Sequence, residues 1–170
     1  MAATGSLISV EEYLRTSSQP DCEYVAGVLE ERAAGELDHA SWQKALVRWF
    51  SDHETAWGIR VYPELRVQTS GDTFRVPDVT LLSRTAPREQ IVTHPPLAVF
   101  EILSPEDSMA RTLEKLADYE RMGIAAIWVI EPKKRLYLLY RHGLLAPASV
   151  FELPGSEFRV TMSEIAALAE

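Results

Sequence analysis

A chain of 170 residues with 46% hydrophobic and 25% charged positions carries enough apolar material for a core without staples. Disordered and disulfide-scaffold classes are excluded, the latter also because Cys22 is the single cysteine. Seventeen basic against 25 acidic residues give a net charge of −8, which argues against a partner held by bulk electrostatics alone.

The longest apolar run, Ile124 to Ile130, is seven residues, well short of the roughly 18 that a spanning helix needs. The opening MAATGSLISV has neither a basic start nor an apolar h-region. The expectation is a cytoplasmic protein without a membrane span, folded as a single domain over residues 1–170. Residues 1–40 hold eight acids against two arginines, Arg15 and Arg32, so they account for −6 of the charge and the remaining 130 residues for only −2. A nucleic-acid partner is therefore open, but it has to be argued from a site.

In chain order, Ser9 with Glu12 three residues on forms a capping-box pattern that predicts a first helix to about Arg15 or Thr16. Glu23-Tyr24-Val25 and Val28-Leu29-Glu30 flank Ala26-Gly27 and read as a hairpin. Trp42, Ala45, Leu46, Trp49, Phe50 and His53 fall at three- and four-residue spacing and predict an amphipathic helix from about Glu36 to Thr55, stopped by Gly58. The period then changes to two. Ile59 to Thr69 and Phe74 to Leu82 read as a second hairpin about Ser70-Gly71-Asp72-Thr73. After a proline-rich loop, Leu97 to Leu103 is the run of a central strand covered on both faces. A helix from about Asp107 to Met122 follows, with Met109, Leu113, Leu116 and Ala117 expected inward and Gly123 at its end. Ala125 to Ile130 and Arg135 to Tyr140 make a third hairpin, and Ser163 is placed as the cap of a short final helix to Leu168. The order describes an α/β domain, a mixed β-sheet flanked by helices with additional β-hairpins.

Two carboxylates stand out by their surroundings. Every neighbour of Glu101 from Leu97 to Leu103 is apolar, and an unpaired carboxylate there costs several kcal/mol unless it is protonated, paired or bound to a cation. Asp78 follows Pro77, which deletes a ladder hydrogen bond and can aim the acid out of the sheet. On neighbouring strands the two would lie about 4 to 6 Å apart, where like charges oppose each other's ionisation and a divalent cation removes the conflict. Oxygen ligands in small number suit magnesium. Buried carboxylates paired with arginine or backbone amides are the bland alternative. Lys115 projects away from the Leu113–Leu116–Ala117 stripe, the ordinary position of a solvated lysine, and shares its face with Tyr119. Its helix, however, leaves directly from the strand of Glu101, close enough for an ammonium to act on a water or a phosphate. His39, near a helix start, is flagged as a phosphate contact or proton carrier. His53, His94 and His142 have no second ligand at metal spacing.

Pro77-Asp78-Val79, Glu101-Ile102-Leu103-Ser104-Pro105, Lys115 with Tyr119, Gly123, Trp128 and Glu131-Pro132 stand in one order and spacing. That set resembles the PD-(D/E)xK nuclease superfamily and, in finer detail, its Uma-two (Uma2) family of restriction-endonuclease-like proteins. The likeness extends back through Glu23, Gly27 and His39, over roughly residues 9 to 140. It implies a restriction-endonuclease-like mixed sheet and a metal-dependent endonuclease acting on nucleic acid, DNA before RNA. In such a protein Asp78 and Glu101 hold Mg or Mn with the main-chain carbonyl of Ile102, Lys115 completes the catalytic set, and Glu23, His39 and Tyr119 are accessory. A homodimer is expected where both strands are cut. The chain departs from the resemblance at Leu103, where the superfamily commonly has its lysine, at Ala26, where relatives have an aspartate, and at Arg111, where many have an acid. Those departures and the net charge keep a second reading in play, a catalytically degenerate nucleic-acid- or protein-binding module on the same fold.

Overall fold

Strand and helix periods alternate along this chain because each apolar face has a different partner, and the architecture follows from that pairing. The computed structural model describes residues 7–17 and 22–170; the first six residues of the segment read above for a leader lie outside them. The elements are α1 (Val10–Arg15), β1 (Cys22–Val25), β2 (Val28–Glu31), α2 (Leu37–Trp57), β3 (Ile59–Pro63), β4 (Val67–Ser70), β5 (Thr73–Arg75) and β6 (Val79–Ser83). They continue with β7 (Ala98–Ile102), α3 (Met109–Met122), β8 (Ala126–Glu131), β9 (Leu136–Arg141), β10 (Leu144–Pro147), β11 (Val150–Glu152), β12 (Arg159–Thr161) and α4 (Met162–Ala166).

The main sheet has six strands in the order β10-β9-β8-β7-β6-β3. All its pairs are antiparallel except β7 with β8, which are parallel and joined by the α3 crossover. Alternation along β7 and β8 divides the core in two. Ala98, Phe100, Ile102, Trp128 and Ile130 face α2, where Trp42, Ala45, Leu46 and Phe50 cover them. Val99, Ile127 and Val129 face α3 and meet Leu116 and Tyr119. Glu101 is one residue from Phe100 and two from Val99, so the same alternation sends its side chain to the α3 side.

A second sheet, β2-β1-β5-β4, is antiparallel throughout. It corrects the expectation of a continuous hairpin from Ile59 to Leu82. The two long strand-like segments do pair along their length, but each is broken in the middle. Their outer halves, β3 and β6, join the main sheet, and their inner halves, β4 and β5, join the small one. The break has identifiable causes: Pro77 cannot donate to a ladder, and opposite it Glu64 takes φ of 50°, a left-handed conformation no strand continues through. Asp78 stands at this break, where one sheet hands the chain to the other.

Three other expectations are corrected. On α3 the buried residues are Thr112, Leu116 and Tyr119, while Met109 and Leu113 are exposed; the inward stripe is rotated, and Lys115 belongs to it with only 15% of its side chain exposed. The final helix is capped by Thr161, whose hydroxyl accepts from the Glu164 amide while the Glu164 carboxylate accepts from the Thr161 amide, and not by Ser163. Strands β10, β11 and β12 had no counterpart in the sequence reading. At α1, Ser9 accepts from the Glu12 amide as expected.

Candidate active site

The residues singled out in the sequence come from four elements and a loop, and the break between the sheets gathers them. β1 brings Glu23, the start of α2 brings His39, the turn into β6 brings Asp78, the end of β7 brings Glu101 and Ile102, and α3 brings Lys115 and Tyr119. They line or adjoin one cavity of about 320 Å³.

Asp78 is nearly inaccessible, at 5% exposure. One carboxylate oxygen, Oδ1, accepts from Arg32 Nη2 at 2.9 Å and lies 3.2 Å from His39 Nε2. The other, Oδ2, accepts from the Ile102 amide at 2.7 Å. Its own carbonyl accepts from Gln43 Nε2 at 3.0 Å and from the Glu64 amide at 3.2 Å. Burial works against the charge, but the His39 hydrogen bond, the charges of Lys115 and His39 and the Ile102 amide outweigh it, so the carboxyl is held below its ordinary range. His39 in turn is pushed up, first by its hydrogen bond to Asp78 and against its own burial.

Glu101 accepts from Lys115 Nζ at 2.8 Å on Oε2 and from the Tyr119 hydroxyl at 2.6 Å on Oε1. Burial pushes its carboxyl up to about 7, with Lys115 opposing and the charges of Asp78 and Glu23 adding to the rise. Lys115 also sits 2.8 Å from Glu23 Oε1, and although burial disfavours its charge, the surrounding carboxylates Glu101, Glu23 and Asp78 push its pKa up. Both members of the Lys115–Glu101 pair are thus shifted upward, Glu101 first by burial and Lys115 by carboxylates that outweigh its burial. The ammonium faces three carboxylates, whereas Glu101 shares its single lysine with Glu23 and faces two further acids. Tyr119, buried and close to Glu101 and Glu23, is pushed well above its ordinary value and keeps its proton.

The structure therefore brings together every residue of the sequence-derived set. Ile102 enters through its main chain: the amide goes to Asp78 while the side chain lies in the α2-facing core. The helical-wheel placement of Lys115 among solvated lysines is corrected, because Glu23 and Glu101 compensate the burial of its ammonium.

Sequence reasoning missed two arginines of the site, Arg75 and Arg32. Arg75, 3% exposed, reaches Glu23 Oε2 at 3.0 Å, Glu30 Oε2 at 2.9 Å and Asp118 Oδ2 at 2.7 to 2.8 Å through two nitrogens. Its position inside a strand, two residues before Pro77, was the available signal. Arg32 lies in the loop between β2 and α2, and nothing in its neighbours marks it.

The acids offer only hard oxygen donors. Among the described residues, no three His, Cys, Asp or Glu side chains are gathered into a ready metal cage. Two carboxylates, one just before β6 and one on the adjacent β7, the latter resisting ionisation chiefly because it is buried, fit a cation that draws the rest of its coordination from water and substrate.

A model of the Uma2 family, described as "Putative restriction endonuclease", matches residues 10–161. No curated protein sequence matches the chain. Among solved structures, the crystal structure of "a putative nuclease belonging to DUF820" from Anabaena variabilis ATCC 29413 is similar with a TM-score of 0.83 and 22% identity, covering 96% of this chain and 99% of that one. At that identity the likeness speaks for the fold. A DrdV–DNA complex seen by electron cryomicroscopy is similar at a TM-score of 0.44 and 22% identity, over 80% of this chain and 11% of that one, and it adds nothing to the assignment.

Proposed function

The chain belongs to the Uma2 family of restriction-endonuclease-like proteins, and from that premise we propose that it is a metal-dependent endonuclease hydrolysing phosphodiester bonds, in DNA before RNA. The observation that carries this reading is the convergence of Asp78, Glu101 and Lys115 on one cavity at the junction of the two sheets. Asp78 and Glu101, with the main chain of Ile102, would hold magnesium or manganese. Such an ion supplies charge against phosphate oxygens and makes water more acidic.

The remaining work falls to the chain itself. Lys115, kept as the ammonium by Glu23 and Glu101, orients a water and stabilises the charge that grows on the phosphate oxygens. Glu23 fixes that ammonium, and its own oxygens are spoken for by Arg75, Lys115 and the Val76 amide. Tyr119 fixes Glu101 from the opposite oxygen. A duplex cut in both strands needs two such sites, so the reading carries a homodimer, to be sought by sedimentation velocity.

The test is cleavage of plasmid, linear, branched and single-stranded substrates with magnesium or manganese at low salt, with Asp78→Ala and Lys115→Ala beside the unaltered chain. Loss of cutting by at least about a hundredfold in both, with the fold retained by circular dichroism, is expected for groups that orient and stabilise the reacting atoms. An Asp78→Ala protein as active as wild type would remove the assignment. One observation favours a second reading: each oxygen of Asp78 and Glu101 already has a donor within the protein. A binding module would keep that closed arrangement, and calorimetric titration with manganese separates the two, since only the nuclease binds the ion through Asp78.

A further inference from the structure

Four cationic side chains line the cavity besides His39, and they differ in how firmly they are committed. Arg75 is divided among three carboxylates. Lys115 bridges two. Arg111, more than half exposed, points to Glu30 at 3.4 Å. Arg32 has one close partner, Asp78, at 2.9 Å, and one longer contact at 3.6 Å with Glu64, which is itself half exposed. Arg32 also stands apart in its setting. Its backbone follows the end of β2, in residues 32–36, which belong to no helix or strand, so no ladder hydrogen bond fixes the backbone that carries it. Its guanidinium nonetheless lies inside the cavity, with 16% of the side chain exposed.

The close partner decides what this arrangement can do. Asp78 Oδ1, the oxygen that Arg32 holds and that also lies 3.2 Å from His39 Nε2, belongs to a carboxylate that the proposed function gives to the cation; an imidazole can stay beside a cation as a neutral donor, whereas the permanent charge of the guanidinium opposes it. Resting on that reading, we propose that Arg32 is a phosphate-binding residue of the site. In this structure it neutralises Asp78; with a cation held by Asp78, the guanidinium would be free to turn to a phosphate oxygen of the substrate. The chemistry suits the task. A planar fork of donors matches a phosphate as well as it matches a carboxylate, and both acceptors lie within one cavity. Among the described residues, no other lysine or arginine lining it is paired so lightly to a group that the metal would claim.

The proposal predicts effects of opposite sign on two ligands, which a purely structural arginine would not produce. Manganese titration by calorimetry on Arg32→Gln should show the ion bound about tenfold more tightly than by wild type, because a competing charge has gone. Fluorescence anisotropy of a labelled DNA duplex, with Lys115→Ala in both proteins to suppress cutting, should show binding about tenfold weaker, because a charge-assisted phosphate contact has gone. Arg32→Lys keeps the positive charge and should return manganese affinity toward wild type without restoring the duplex affinity in full.

Tighter manganese binding with weaker duplex binding supports the proposal, as does manganese binding that appears only once Arg32 is replaced. Unchanged or weaker manganese binding in a folded Arg32→Gln protein, where wild type binds the ion through Asp78, overturns it and leaves the metal site standing. Duplex affinity unchanged by Arg32→Gln overturns the phosphate assignment. Absence of manganese binding in both proteins overturns it together with the proposed function.

Discussion

A buried charge is tolerated in proportion to the number and geometry of its partners, and Arg75 shows how much structure can hang on one guanidinium. It joins β5 to Glu23 on β1, Glu30 on β2 and Asp118 on α3, so it ties the small sheet to the helix that carries Lys115. Glu23 and Glu30 lie directly opposite each other across β1 and β2, where like charges repel unless a cation stands between them. Removing it as Arg75→Met should cost about 3–5 kcal/mol, the usual penalty for leaving buried partners uncompensated. Arg75→Lys should recover only part of that, since the guanidinium meets its carboxylates through three separate nitrogens and a lysine has one compact ammonium to replace them. Urea denaturation of the two variants checks this; equal stability of Arg75→Lys and wild type would show that charge alone suffices.

At the scale of elements, the first hairpin carries an avoidable strain. Its two-residue turn, Ala26-Gly27, joins Val25 to Val28, with φ of 46° and 92°. Both values are positive, as the tight turns that fit twisted strands require. Glycine meets that need freely, whereas alanine in the left-handed region costs about 1 kcal/mol. Ala26→Asn, which restores the favoured asparagine-glycine pair, should therefore raise stability by roughly 0.5–1 kcal/mol in urea denaturation without affecting the cavity. Hairpins and helices of this kind were legible in the sequence because glycine, proline and apolar spacing act locally. The failures were of another sort. On α3 an apolar criterion selected Met109 and Leu113, which are exposed, and passed over Lys115. What turns the lysine inward is the pair of carboxylates on β1 and β7, and nothing within the helix announces them. The long hairpin failed similarly. Pro77 was recognised as a local break, but the consequence, that each arm serves two sheets, depends on β1 arriving to pair with β5.

Across the whole molecule the same division holds: the acids and lysine of the site were visible as motif residues, while the arginines that balance them were not, since no local pattern records a partner 43 to 52 positions away. The balance also changes what net charge means. Of the eight acids crowded into residues 1–40, Glu23 and Glu30 do not form an acidic face, because they are drawn into the network of Arg75, Lys115 and Arg111. The −8 of the chain is therefore partly internal, and a polyanion approaching the cavity meets acids that already have counter-charges. The number of cations left to meet it is nonetheless small. Arg75 and Lys115 are engaged inside, and Arg32, Arg111 and the exposed Lys133 and Lys134 remain near the site or the adjoining groove. If about two to four of them neutralise phosphates, the logarithm of the binding constant for duplex DNA should fall by roughly 2 to 4 for each tenfold rise in salt, at about 0.9 per phosphate contacted. Anisotropy titrations of the Lys115→Ala protein from low to moderate salt would give that slope. A slope near zero would mean that phosphates are not what the cavity holds. A slope far steeper than 4 would mean that a second basic surface, beyond the mouth of this site, shares in the binding.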